Sequence, residues 1–259
     1  MSGHSKWSTI KRKKGANDAK RGKLFAKLVR AIEVAAKNGG PDPANNASLY
    51  QAISKAKSMS VPNDNIEKAL KRLSGQQEGE DFSEIFYEGY GPHGVAVLVE
   101  CLTDNRNRTS ADVKSIFSKY NGSTGAPGSV NYLFERKAIF YFENNSEEII
   151  DIAIENSCVD FSETENGINL EFLPQDFKKI NELFIESEYK PTTAEVAYIP
   201  STSIMLDTNQ FQSITKLIEA LEDLDDVQNV YTNFDIEENI LDTAINLSLI
   251  HISEPTRPY

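Results

Sequence analysis

Eleven lysines and arginines lie in the first 40 residues against two acidic side chains, a net charge of +9. They begin at Lys6, cluster at Lys11, Arg12, Lys13 and Lys14, and continue through Lys20, Arg21, Lys23, Lys27, Arg30 and Lys37. Cations at this density neutralise phosphates and release the counterions condensed on a nucleic acid. Trp7, set among them, has the flat ring on which an unpaired base can stack. Residues 41–80 are electrically neutral, and the remaining 179 residues carry −21. The whole-chain charge of −12 and pI of 4.8 therefore conceal a basic arm on an acidic body. Such a division predicts that the arm alone approaches a polyanion. The candidate nucleic-acid-binding set is Lys6, Trp7, Lys11, Arg12, Lys13, Lys14, Lys20, Arg21, Lys23, Lys27 and Arg30. Two other readings stay open here. The arm would equally dock on an acidic protein surface or on the chain's own acidic body, and Trp7 would equally pack against neighbouring helices.

Other residue types that carry chemistry are sparse. The three histidines, His4, His93 and His251, have no metal-ligand spacing and no nearby nucleophile or carboxylate set. Cys101 and Cys158 form no CxxC pair, which argues against a disulfide framework or a zinc ribbon. Gly89-Tyr90-Gly91-Pro92-His93-Gly94 matches GxGxxG in form, yet the glycines precede a predicted strand rather than a helix, and Pro92 lacks an amide. A tight turn is the better reading. Asp104 to Arg108 suggests a calcium loop, but two arginines lie inside it and no glutamate closes it. Arg106 and Arg108 either contact phosphate or belong to the start of the following helix. No catalytic residue, metal site or cofactor is predicted.

The elements that position the cations are helical. Leu24, Phe25, Leu28, Ile32, Ala35 and Ala36 recur at three- and four-residue spacing after Asp18, and Lys20, Lys23, Lys27, Arg30 and Lys37 form a separate outward stripe. Asn38-Gly39-Gly40-Pro41 stops this helix, a second runs about Ala47 to Ser60, and Asp64 with Glu67 reads as a capping box for a third. Residues Gly75 to Asp81 read as a linker. Beyond it come a strand at Gly94–Leu102, a helix at Thr109–Tyr120, a loop at Gly122–Gly128 and a strand at Val130–Phe134. Residues 138–199 follow the order βαββαβ of a ferredoxin-like unit. Ile204–Leu206, a helix at Thr208–Leu224 and a strand at Val227–Phe234 would complete the half-unit begun before it.

The predicted fold class is thus α+β with three domains. A helical domain, 1–76, precedes two small α/β sandwiches, one built from 82–134 plus 201–240 and the other, 135–200, ferredoxin-like and inserted in it. No stretch is long and apolar enough to span a membrane, and the opening residues lack the apolar region of a signal peptide. A cytoplasmic monomer is expected. Leu247–Tyr259 (LSLIHISEPTRPY) looks like the in-frame translation of a common sequencing adapter, so 247–259 is set apart as a read-through tail without function.

The opening GHSKWSTIKRKKGANDAKRGKLFAKL, Gly3 to Leu28, resembles the signature N-terminus of the YebC/PmpR family, with the related mitochondrial translational activator of cytochrome oxidase subunit one. The resemblance continues through YEGYGPHGVAVLVECLTDNRNRT (Tyr87–Thr109), NGSTGAPGSVNYLF (Asn121–Phe134) and DDVQNVYTNFDI (Asp225–Ile236). It implies a helical N-terminal domain and two α/β domains, one inserted in the other, in a protein that acts on DNA as a transcriptional regulator or on the ribosome as a translation factor. It further implies that the loop around Gly125, Pro127 and Gly128 is a secondary contact, beside Arg106 and Arg108. Residues 121–124 depart from the family's usual Gly-Gly-Asn-Leu. The chain lacks the N-terminal extension of mitochondrial members, which points to a bacterial-type protein. The leading expectation is a nonenzymatic RNA-binding translation factor whose partners are ribosomal RNA and the ribosome. The alternative is a DNA-binding transcriptional regulator, for which Lys68, Lys71 and Arg72 on the third helix would enter a groove.

Overall fold

Apolar residues at helical spacing in the first third of the chain, and alternating ones after it, produce helices followed by mixed helices and strands. A computed structural model describes residues 18–74, 82–164 and 167–237. By packing, the chain divides into two compact units, one of Arg21–Phe82 with Arg136–Tyr198, the other containing Ser83–Glu135 and the chain from Ile199 onward.

In the first unit, α1 (Asp18–Gly39), α2 (Ala47–Ser58) and α3 (Asn63–Ser74) bury Leu28, Ile32, Ala36, Leu49, Ala56, Val61, Ile66 and Ala69 in one core. Asn46 joins two of them. Its side-chain oxygen accepts the Leu49 amide (3.0 Å) as the N-cap of α2, and its amide nitrogen donates to the carbonyls of Ala35 and Gly40 (2.8 Å each) at the end of α1. Helix α3 starts one residue before Asp64, so the predicted capping box is displaced. The Pro62 carbonyl receives the amides of Asn65 (3.0 Å) and Ile66 (3.4 Å) instead.

The same unit holds β4 (Phe134–Phe142), α5 (Glu147–Glu155), β5 (Asp160–Thr164), β6 (Gly167–Phe172), α6 (Phe177–Glu186) and β7 (Thr193–Pro200). Its sheet order is β5-β6-β4-β7, with β6 antiparallel to both neighbours. That is the order expected of a βαββαβ chain. Alternate residues of β4 and β6 face the helices: Ala138, Phe140 and Phe142 with Ile168, Leu170 and Phe172. The Phe140 ring stacks on Phe177 (5.5 Å) and meets Phe172 edge-on (5.6 Å). Helix α2 docks on this layer through Tyr50, whose ring lies edge-on to Phe177 (6.2 Å) and whose hydroxyl accepts from Asn181 (3.1 Å). Lys178 sits over that ring and donates to the Ala44 carbonyl (3.0 Å), and Lys55 pairs with Glu195 at 3.4 Å.

In the second unit, β1 (Ser83–Tyr90), β2 (Ala96–Thr103), β3 (Ser123–Thr124) and β9 (Val227–Thr232) form an antiparallel sheet ordered β3-β1-β2-β9. Helices α4 (Arg106–Lys119) and α7 (Thr208–Glu222) cover one face, where Val97, Val99, Cys101, Val113, Phe117, Ile214 and Leu217 are buried. The pair β8 (Ile204–Met205) and β10 (Phe234–Asp235) is parallel. Asp207 and Gln210 form a reciprocal capping box at the start of α7. Helices laid on mainly antiparallel sheets make this an α+β protein.

Three local expectations change. Strand β1 carries too mixed a pattern to be read in advance. Helix α4 starts at Arg106 rather than Thr109, because Asn105 caps it by accepting the Arg108 amide (3.1 Å). Residues 131–133 form a turn of 3-10 helix, and the strand starts only at Phe134. The amides of Val130 and Asn131 are held by a carboxylate and so cannot join a ladder.

Candidate nucleic-acid interface

Helix α1 carries the cations for the reason expected: Leu28, Ile32 and Ala36 bury one face and leave the lysines on another. Arg21, Lys23 and Lys37 are exposed, while Lys27 and Arg30 are half-buried. Arg30 departs from the simple stripe. Its guanidinium lies 4.8 Å from the centre of the Phe82 ring, a cation–π contact within the unit. Arg21 makes a looser one with Phe25 (5.4 Å). Lys6, Trp7, Lys11, Arg12, Lys13 and Lys14 lie outside the described residues, as does the side chain of Lys20. On α3, Lys68 and Lys71 are exposed, with Lys71 3.5 Å from Glu67.

The Gly-rich loop is built around Glu88, a residue that sequence reading missed. Glu88 belongs to β1 and is 7% exposed. One carboxylate oxygen accepts the Gly128 amide (2.7 Å), and the other accepts those of Val130 (2.7 Å) and Asn131 (2.8 Å). The Gly125 amide donates to the Glu88 carbonyl (2.7 Å). Burial alone would raise the Glu88 carboxyl, but the three amides outweigh it and hold the group below its ordinary range. Gly128, at φ 88°, makes the turn that aims these amides inward. The loop's anion-binding nest is thus filled by the protein's own carboxylate. The amides of Gly125 and Gly128 are not available to a phosphate.

Arg106 and Arg108 are engaged within the protein in the same way. Arg108 donates to Asp104 (2.6 Å) and Asp226 (2.9 Å). Asp226, 8% exposed, also accepts from the hydroxyls of Thr109 (2.7 Å) and Thr103 (3.2 Å). Burial pushes its carboxyl up, yet the Arg108 and threonine contacts more than reverse this and lower it. The Arg106 Nε reaches the Ser83 hydroxyl (3.3 Å), and its carbonyl accepts from Tyr87 (3.1 Å). Both residues thus belong to the start of the helix, and both remain exposed at the surface.

The remaining motifs are structural as well. Gly91 to Gly94 turns tightly into β2, with the Gly91 amide on the Val95 carbonyl (2.8 Å). Cys101 and Cys158 are not joined in a disulfide, and Cys101 is buried. Among the described residues no group of three or more His, Cys, Asp or Glu could hold a metal ion, and no helix is long and apolar enough to cross a membrane.

A basic helix in an α-helical N-terminal segment, followed by α+β units with a carboxylate-clamped loop, defines a class that sequence comparison makes specific. The profile of the TACO1/YebC protein N-terminal domain matches residues 5–76, and that of the TACO1/YebC second and third domain matches residues 82–234. The chain belongs to the TACO1/YebC family. It is 48% identical over 244 residues to a probable transcriptional regulatory protein of Geotalea uraniireducens, covering 93% of this chain and 99% of that one. A similarly named protein of Mycobacteroides abscessus is 46% identical over 245 residues, with coverage of 93% and 98%. The crystal structure of a conserved hypothetical protein from Aquifex aeolicus superposes with a TM-score of 0.75 at 42% identity, covering 85% of this chain and 92% of that one.

Proposed function

We propose that this protein is a nonenzymatic regulator of gene expression that binds nucleic acid through its basic arm and α1. The observation that carries the reading is the charge division: +9 in residues 1–40 against −21 beyond residue 80. An acidic body repels indiscriminate backbone binding, so contact is confined to a target that the arm and α1 can reach. The regulatory names of its relatives agree with the general reading.

The finer form we favour is an RNA-binding translation factor acting on the ribosome. A structured RNA offers phosphate to a narrow basic element while leaving the acidic body outside. The second reading is a DNA-binding transcriptional regulator, and the names of the relatives fit it better. We read the chain as three domains, because the sheet of residues 134–200 falls in sequence between the two segments that build the other sheet. The protein would act in the cytoplasm, as a monomer.

The deciding experiment is in-cell ultraviolet crosslinking with RNA and DNA both recovered, using the natural chain and a Lys20→Glu, Lys23→Glu, Lys27→Glu variant. Charge-dependent recovery of ribosomal RNA is the expected result. Recovery of discrete promoter DNA with ribosomal RNA at background would favour the transcriptional reading. Recovery unaffected by the charge reversals would remove the arm and α1 from the function. Arg30 is left intact because its stacking on Phe82 would mix a stability effect into the measurement.

A further inference from the structure

The loop after α4 is a rigid, exposed element with aromatic rings and no surface carboxylate of its own. Residues 113–134 contain no Asp or Glu, the longest such run beyond residue 80, and they contain Lys114 and Lys119, both exposed. Within that run, Gly125 to Gly128 and Asn131 are exposed, and Tyr132 is 71% exposed. Tyr90, at the end of β1, is 36% exposed, and its hydroxyl donates to the Ser129 carbonyl (3.1 Å). Glu88 pins the loop from beneath through three amides, so the tyrosines stand on a fixed base.

The exposed Tyr132 ring, on a loop tied from beneath by Glu88, offers a face on which an unpaired base can stack. The missing acidic groups, in a body otherwise strongly negative, fit an anionic partner. The inward-turned amides of Gly125 and Gly128 exclude a backbone phosphate cradle, which leaves the ring faces as the contact surface. We propose that the loop is a second nucleic-acid contact in which Tyr132, flanked by Tyr90, stacks on an unpaired base of a single-stranded segment. This rests on the nucleic-acid reading above and deepens it: the arm and α1 supply phosphate contacts, and the loop supplies a preference for unpaired strands.

The test is fluorescence anisotropy on the full chain, with a labelled single-stranded oligoribonucleotide and its duplex as probes. Variants are Tyr132→Ala, Tyr132→Leu, Tyr132→Phe and the triple lysine reversal of α1. Loss of one stacked base should weaken single-strand binding by roughly 5- to 150-fold in Tyr132→Ala and Tyr132→Leu. Duplex binding and the salt dependence should be unchanged, and Tyr132→Phe should restore affinity. Photocrosslinking of a 5-iodouridine oligonucleotide should map to Tyr132. Equal affinity of the alanine and natural chains for the single strand, with the lysine reversal still abolishing binding, overturns this inference alone. Absence of binding by the natural chain to either probe overturns it together with the nucleic-acid reading.

Discussion

Glu88 and Asp226 show how a buried carboxylate organises a surface that it never reaches. Each is nearly inaccessible, and each is held ionised by donors that converge on it: three backbone amides for Glu88, and Arg108 with two threonine hydroxyls for Asp226. A carboxyl lowered in the folded state stabilises it fully above the unfolded-state value, and that stabilisation is lost as pH falls through the folded-state value. For Glu88 the ordinary value is 4.5. Glu88→Gln should therefore cost about 2–3 kcal/mol near neutral pH, since it removes charge-assisted bonds and strands amides. The difference from the natural chain should shrink at acid pH, as the pH falls below 4.5 and through the lower folded-state value at which the natural carboxyl also protonates. Urea unfolding at both pH values measures this, and a pH-independent difference would show that the charge is not what holds the loop. Asp226→Asn should flatten the acid limb in the same sense, and its amide group would oppose the Arg108 guanidinium. Neither residue stood out in the sequence, where both lie among ordinary surface-type carboxylates.

At the scale of elements, α1 was legible because its period is local, and its N-terminal cations are set by the same spacing. The junction between α1 and α2 was not. Asn38 to Pro41 marks the stop of the first helix, but the tie is Asn46, which caps one helix and holds two carbonyls of the other. Gly39 is needed beside it, since a Cβ there would meet the Asn46 amide nitrogen at 2.6 Å. Replacing Asn46 with Ala should lose the cap, about 1 kcal/mol, and leave two carbonyls without their donor, for a total of about 2–3 kcal/mol. Thermal denaturation of the full chain checks this, with Asn46→Asp retaining the cap alone and falling between. Strand β1 was hidden for a different reason. Its two faces bury unlike things, an apolar core on one and a clamping carboxylate on the other, so SEIFYEGY shows no clean alternation.

At the scale of the molecule, charge and packing divide the chain differently. The charge boundary runs between the N-terminal helices and everything after them, while packing joins those helices to the sheet of residues 136–198 as one unit. Tyr50 is the hinge of that union, with Phe177 against its ring and Asn181 on its hydroxyl. Tyr50→Ala should remove about 3 kcal/mol or more of local stability, by analogy with other large-to-small aromatic truncations. Hydrogen exchange should accelerate in α1 to α3 while β1, β2 and β9 keep their protection. Uniform acceleration across both units would mean that they unfold together. The lysine reversal in α1 should reduce the slope of log affinity against log salt by about 0.7–0.9 for each phosphate that is no longer neutralised, with the melting temperature nearly unchanged.

The sequence by itself determined what is local or additive: the basic arm on an acidic body, the helical periodicity of α1, the βαββαβ order and the family motifs. Charge sums over residues wherever they fold, and helix periodicity is read within a few turns. Only the tertiary structure decided which polar residues are structural. Asp226 meets Thr109 across 117 positions and Glu88 meets Gly128 across 40. Such pairings carry no periodic signal, because the partners are brought together by the packing of the whole sheet. The same packing paired Arg108 with Asp104 and Asp226, turned the amides of Gly125 and Gly128 inward onto Glu88, and left Tyr132 standing on the surface.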